Sequence, residues 1–289
     1  MTGDDLPPAE RGRPGALVVV GTPIGNLGDL SPRGLEALAA ADLIACEDTR
    51  RAGRLLSHFG IGRTPMVVVN EHTEWEAVEG IVARLHSGET VVLISDAGMP
   101  VLSDPGGPLV AAVAAAHLPL TVVPGPDAAV TAIAVAGLGS GRFVFEGFLP
   151  RKGGARSRAL SSIGVEERTV VLYEAPHRIA ALIGDLIVAA GPERPAVICR
   201  ELTKLHEEIR RGTLAELATA SCVLSPRGEY VVVLAGRPTP EGPTDDELAE
   251  ALGVALAAGL SRRDAVDAVV AETGAAHRRV YDLAIGLDR

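Results

Sequence analysis

The sequence predicts an α/β protein: two successive blocks with parallel or mixed sheets, then a small C-terminal helical domain. Three observations lead there. Short apolar runs that end in Gly- or Pro-containing turns alternate with helical stretches from Leu17 onward. Hydrophobic residues make up 47% of the 289-residue chain and aromatics only 3%, so the cores rest on Ala, Val, Leu and Ile. That composition suits helices packed closely on sheets. The segment Arg237-Pro238-Thr239-Pro240-Glu241-Gly242-Pro243 then ends the alternation as a linker, and the pattern after it is helical throughout.

The first block spans residues 16–123. Residues 17–20 form an apolar run closed by a glycine turn and read as a buried strand. Ser31 can cap a helix whose first position suits Pro32, and Leu35, Leu38 and Ala39 give it an apolar stripe. Residues 42–46 read as a strand and 51–59 as a helix. Strands at 66–69, 91–95 and 120–123 alternate with helices at 74–86 and 108–116. The second block covers 124–236 and has more hairpin-like connections. Its expected helices are 128–136, one starting within 158–162, one ending near 189, and 214–220. Its expected strands are 143–145, 169–173, 196–199, 207–210 and 230–234. Between Leu149 and Arg156 lies a basic loop containing two glycines, expected to be mobile. Residues 244–289 predict three short helices, at 245–258, 261–273 and 275–287, with Thr244 as a cap and turns at Gly259 and Gly274.

Residues 1–15 are polar and rich in Pro and Gly, with no apolar signal-peptide core, and are expected to be a disordered tail. No uncharged apolar run reaches the roughly 18 residues of a membrane span. Cys46, Cys199 and Cys222 lie in or beside apolar runs and form no CxxC pair, so they read as buried free thiols of a reducing compartment. A cytoplasmic protein is expected. His72 stands beside Glu71 and Glu74, but no second His or Cys lies at ligand spacing, so no metal site is expected. The net charge of −10 argues against indiscriminate nucleic-acid binding and leaves room for a local basic face.

Open α/β sheets bind ligands beyond the carboxyl ends of their strands. Five segments occupy such positions: 21–26, 47–50, 95–100, 124–127 and 173–178. The first, Gly21-Thr22-Pro23-Ile24-Gly25-Asn26, is not a dinucleotide fingerprint. A pyrophosphate needs free N–H groups at a helix start, and Pro23 removes one. A ligand poor in phosphate, with an adenosine and a small polar tail, fits better.

Several motifs follow one another in order: Gly21 to Leu27, Glu47-Asp48-Thr49-Arg50, Ser95-Asp96-Ala97-Gly98-Met99-Pro100, Asp104-Pro105-Gly106 and Pro124-Gly125-Pro126. Glu146 to Pro150, Tyr173-Glu174-Ala175-Pro176-His177-Arg178 and Arg200-Glu201-Leu202-Thr203-Lys204 complete the series. Over residues 16–236 this series resembles the small-subunit rRNA methyltransferases of the tetrapyrrole-methylase superfamily. The helical tail is similar to the small C-terminal domain that many members carry. The resemblance implies two α/β domains flanking a cleft for S-adenosyl-L-methionine, in a homodimer. It also implies methyl transfer to the ribose 2′-oxygen of a cytidine in the decoding centre of 16S rRNA, with the small ribosomal subunit as the expected partner and the choice between free rRNA and assembled subunit left open. By position, Gly21, Pro23, Asp96, Ala97, Gly98, Asp127, Ala128 and Tyr173 should border the cofactor. Met99 and Asp127 depart from the residues usual in relatives, a Thr and a small residue. Met99 loses a hydroxyl, and Asp127 adds a carboxylate that could face the sulfonium or amino group.

Such a transfer is an in-line displacement served by positioning and by a base for the hydroxyl proton. Glu47, Asp48, Glu174, His177, Glu201 and Lys204 are candidates for that base, unranked. Arg50, Arg178 and Arg200 are candidates for RNA phosphate, together with Arg151, Lys152 and Arg156 of the basic loop. Arg158, Arg262-Arg263 and His277-Arg278-Arg279 extend the basic surface. Two other readings stay open: the same fold acting on a tetrapyrrole (precorrin), and a non-catalytic RNA-binding assembly protein.

Overall fold

Four apolar residues in a row make β1 (Leu17–Val20) a strand with both faces covered, as a parallel sheet requires. In the computed structural model, which describes residues 15–70, 74–139, 141–221, 227–238 and 243–286, β1 sits inside a five-stranded parallel sheet. The others are β2 (Leu43–Cys46), β3 (Met66–Val68), β4 (Val91–Ile94) and β5 (Leu120–Val123), in the order β3-β2-β4-β1-β5. The two-residue period sorts their side chains. Leu17, Val19, Leu43, Ala45, Val91 and Leu93 pack against α3 (Glu74–His86) and α4 (Gly107–Ala115). Val20, Ile44, Cys46, Val92 and Ile94 pack with α1 (Pro32–Ala40) and α2 (Thr49–His58) on the other face. The chain therefore leaves β1 and β2 toward one face and β4 toward the opposite face. Since β4 lies between β2 and β1, its carboxyl end opens a crevice on each side.

The second sheet is mixed, in the order β6-β7-β10-β8-β9. Its strands are β6 (Phe143–Phe148), β7 (Thr169–Glu174), β8 (Pro195–Arg200), β9 (Glu208–Thr213) and β10 (Tyr230–Leu234). Only β6 and β7 are parallel; the rest of the ladder is antiparallel. One face is covered by α6 (Gly154–Val165), α7 (Ile179–Ala190) and α8 (Leu214–Ser221). The other meets α5 (Ala128–Ala136) and also Ile24 from the turn after β1, so that turn packs against the second sheet. Both sheets belong to one unit, Met1–Arg237.

Two expectations change here. Strand β6 runs on to Phe148 instead of stopping at Phe145, because a bulge between Phe145 and Gly147 absorbs the Glu146-Gly147 break. Helix α6 begins at Gly154, so Arg156 and Arg158 are helical residues and not part of a loop.

The other unit, Pro238–Arg289, contains α9 (Asp245–Ala257), α10 (Arg262–Thr273) and α11 (His277–Gly286) around Leu248, Leu252, Val266, Val269 and Val280. Thr244 and Glu247 form a reciprocal capping box, and Gly274 ends α10 in the left-handed conformation. Cys46 and Cys199 are buried free thiols, and burial pushes both up to about 11. Cys222, Glu71, His72, the tail up to Pro14, most of the linker and Leu287 lie outside the described residues. Among those described, no helix is long and apolar enough to cross a membrane.

Candidate functional site

The turns after β1 and β4 are joined to each other. The Thr22 N–H donates to Gly98 O at 2.9 Å, and the Gly98 N–H returns to Thr22 O at 3.1 Å. The buried Thr22 hydroxyl donates to Ser95 O at 3.2 Å. Gly98 adopts φ +87°, which an L side chain rarely tolerates. Gly21 serves a different purpose from the one expected. A Cβ there would lie 2.7 Å from Gly125 Cα and 2.6 Å from Met99 Sδ, so Gly21 lets two backbones touch behind the cleft and does not line it. Met99 fills that space, packing against the core of the parallel sheet while also lining the cleft.

The cleft, about 310 Å³, lies between these turns and the second sheet. Ala97, Gly98 and Met99 form one wall; Asp127 and Ala128 another; Phe148, Tyr173, Glu174 and Tyr230 a third. Asp127 is the N-cap of α5, its Oδ1 accepting the Val130 N–H at 2.8 Å. The Tyr173 hydroxyl accepts the Ala129 N–H at 3.1 Å. Burial, then the Asp127 charge, pushes Tyr173 far above the usual phenol range, so it stays protonated. Of the donors at the start of α5, that of Ala128 is the one these two side chains leave over. Tyr173 also packs edge-on against Phe145 and Phe148.

Glu174 is fully buried. Its Oε1 pairs with Arg178 Nε at 3.2 Å and accepts the Ala175 N–H at 2.9 Å. Its Oε2 has no hydrogen-bond partner among the described residues. A buried carboxylate oxygen left open at a cleft wall complements a donor or a cation on a ligand.

A larger crevice of about 730 Å³ opens beside this cleft, on the β2 side of β4. Glu47, Asp48, Arg50, Asn70, Asp96, Ser103 and Asp104 line it. Asp48 caps α2 through the Arg50 N–H (2.8 Å) and grips the Arg50 guanidinium, which pulls its carboxyl down to about 2. Burial raises Glu47 and Asp96, although Arg51 pairs with Asp96 at 3.3 Å. Pro23 is buried and, with Asp96, lines a third crevice on the β1 side of β4. Asp104 was not among the expected site residues. Burial pushes it up to about 6, reinforced by Glu47, Asp96 and Asp127 against a bond from Ser95. It is one of two residues, with Ser103, that line both the cleft and the large crevice.

The remaining candidates are dispersed. Glu201 and Lys204 form an ion pair at 2.8 Å, and Lys204 also reaches Glu229 at 2.9 Å. Burial would lower Lys204, but these carboxylates outweigh it and raise its affinity for the proton, so it is a poor base. His177 is exposed. Arg156 is engaged with Asp185 at 2.6 Å and with Pro150 O at 3.0 Å, and its side chain is only 12% exposed. Arg178 is held by Glu174 and Leu149 O, and Arg200 by Arg227 O and Glu208. Arg50, Arg151 and Lys152 are exposed.

Comparison with known proteins places this geometry. Residues 16–218 match the model of the tetrapyrrole (corrin/porphyrin) methylases. A protein of Synechocystis sp. named ribosomal RNA small subunit methyltransferase I is 42% identical over 276 residues, covering 95% of this chain and 99% of its own. The protein of that name in Pseudomonas aeruginosa is 45% identical, over 94% and 97%. Among solved structures, diphthine synthase superposes with a TM-score of 0.58 at 18% identity, covering 76% of this chain and 89% of its own. A Thermus thermophilus uroporphyrin-III C-methyltransferase complexed with S-adenosyl homocysteine gives 0.54 at 17%, over 76% and 97%.

Proposed function

The chain belongs to the ribosomal RNA small subunit methyltransferase I family within the tetrapyrrole methylases, and on that premise we propose that it transfers the methyl group of S-adenosylmethionine to the ribose 2′-oxygen of a cytidine in 16S rRNA. The near full-length similarity to relatives of that name carries the reading. The cleft's chemistry supports it. Asp104, Asp127 and Glu174 give the walls carboxylates, which repel a pyrophosphate and suit a ligand bearing a sulfonium and an ammonium. The open Oε2 of Glu174 fits the ammonium, and the Ala128 N–H fits a polar atom of the cofactor. Gly98 allows close approach to the backbone. The bound cofactor supplies an activated methyl carbon, and the protein's part is to hold the acceptor oxygen in line and to take its proton.

The large crevice would take the acceptor nucleotide. Its volume and that of the cleft both fall in the usual range for small-ligand sites, about 300–1,000 Å³. Arg50 at its rim, with Arg151 and Lys152, would meet phosphates, whereas Arg156, paired with Asp185, and Arg178, paired with Glu174, would serve the structure instead. A homodimer would use the outer edge of β5, the edge strand beside β1, where Leu120 and Val122 are 40% and 48% exposed. The test is incubation of the protein and labelled cofactor with small ribosomal subunits lacking this modification, followed by nuclease digestion and mass spectrometry. One 2′-O-methylcytidine is expected. Label on a tetrapyrrole with the subunits untouched would replace this substrate by the other.

A further inference from the structure

Cofactor and nucleotide are assigned above to two different cavities, so the methyl carbon and its acceptor oxygen must meet where the cavities join. Ser103 and Asp104 are the residues common to both linings. Of the two, only Asp104 carries a group that can hold a proton taken from a hydroxyl.

The segment around Asp104 is held in a costly conformation. Val101 and Ser103 have φ +77° and +65°, although neither is glycine and Val is β-branched. Gly98 and Gly106 at its ends are also positive. Its position is fixed from the second sheet: a Cβ on Gly147 of the β6 bulge would lie 2.8 Å from Ser103 Oγ, so that hydroxyl rests against the bulge. A strained segment pinned from two sheets and exposing one carboxylate at the junction of two cavities suits a positioned acid–base group.

The other carboxylates are less suitable. Asp48 is occupied by capping and by Arg50, and Glu174, with one oxygen on Arg178 and the other assigned above to the cofactor, does not line the large crevice. Glu47 and Asp96 line crevices but not the cofactor cleft.

From this geometry we infer that Asp104 is the general base for the methyl transfer, accepting the proton of the acceptor ribose hydroxyl. The inference rests on the function proposed above. In the step, the 2′-oxygen bonds to the methyl carbon as the methyl–sulfur bond breaks. The bonding pair leaves with sulfur, which becomes a neutral thioether, and the proton passes to an Asp104 carboxylate oxygen. The groups that set this carboxylate's charge are Glu47 after β2, Asp96 after β4 and Asp127 at α5, with Ser95 bonded to it and Arg51 paired to Asp96. Burial first, then the balance of these groups, holds the carboxyl at about 6, ionised at neutral pH yet more basic than an ordinary aspartate.

The experiment compares the wild type with Asp104→Asn and Asp104→Glu on small subunits across pH, alongside calorimetry with the cofactor and carboxyl-carbon NMR of the protein without ligands. Asp104→Asn should lose about 10²–10⁴-fold in kcat, keep cofactor affinity, and lose the acid limb of the wild-type profile near pH 6. Asp104→Glu should recover part of the rate. The ligand-free wild type should show one carboxyl titrating near 6 that Asp104→Asn removes. An Asp104→Asn enzyme within a few-fold of wild type, with its acid limb intact, overturns the assignment. So does an Asp104 resonance that titrates in the ordinary aspartate range, whether or not the variant folds. A wild type that leaves subunits unmethylated removes the function itself, and this inference with it.

Discussion

Replacing Gly21 by Ala puts one carbon where the protein has no room. The added Cβ would stand 2.7 Å from Gly125 Cα, 2.8 Å from Gly125 N and 2.6 Å from Met99 Sδ, where ordinary contacts fall at 3.4–4 Å. The Met99 side chain can swing away; the Gly125 backbone cannot move alone. To recover a normal distance the two backbones must part by roughly 0.7 Å, the gap between 2.7 and 3.4 Å. That movement strains the Gly21 N–H to Val123 O bond (3.1 Å) and the reciprocal Thr22–Gly98 pair. Overpacking of this kind costs about 1–3 kcal/mol. At about 2–4 °C per kcal/mol for a body of 150–250 residues, the melting temperature should fall by roughly 2–12 °C. Gly53→Ala is the control: in α2, with nothing within 4 Å of an added Cβ, it should gain about 0.4–1 kcal/mol. Both are read by thermal unfolding, and Gly21→Ala should also weaken cofactor binding in calorimetry, since the stitched turns move. A Gly21→Ala protein as stable as wild type, binding normally, would show that the close Gly21–Gly125 approach is not needed.

Other outcomes follow from single residues. Asp127→Ala removes the N-cap of α5 and should cost about 0.5–2 kcal/mol, whereas Asp127→Asn caps equally well and should stay within a few tenths; equal losses in the two would show that the charge, not the cap, matters. Thr244→Ala breaks the capping box of α9 and should cost about 1 kcal/mol, or roughly fivefold faster amide exchange in that helix, while α7 is unchanged. The raised Asp104 carboxyl also has a stability consequence. Between its ordinary 3.8 and about 6, the folded protein keeps a proton that the unfolded chain has released, so this group's contribution falls as pH rises through that window. Asp104→Asn should therefore be the more stable protein above about pH 6 in thermal melts, with the difference shrinking toward pH 4; the opposite trend would reject the shift.

Periodicity made much of the fold readable. Residues such as Val91 to Ile94 or Tyr230 to Leu234 are apolar without interruption, and that pattern belongs to strands covered on both faces. Caps were equally legible at Ser31 and Thr244, where side-chain chemistry marks a helix start. The start of α6 was not, because Gly153 caps it without a side chain and Gly154 opens it; two glycines read as a loop. Within the candidate site, glycines and prolines mark the turns after β1 and β4, yet they do not say which glycine borders the cleft. Gly98 borders the cleft, while Gly21 packs against a backbone remote from it in sequence. Asp104 was missed for the same reason. As a sequence its Asp-Pro-Gly looks like a turn, and its raised carboxyl comes first from burial and then from the carboxylates at positions 47, 96 and 127, all of which only the fold supplies. The basic residues show the converse: Arg156 looks free in the sequence, and only the fold reveals Asp185 beside it.

The central claim is the reaction itself, and site-mapped methylation of unmodified small ribosomal subunits tests it most directly. With purified protein and labelled S-adenosylmethionine, the account predicts one methyl per subunit, on the ribose 2′-oxygen of a 16S rRNA cytidine. A methyl on a base, on another nucleotide, or none on rRNA by a protein that binds the cofactor would contradict it.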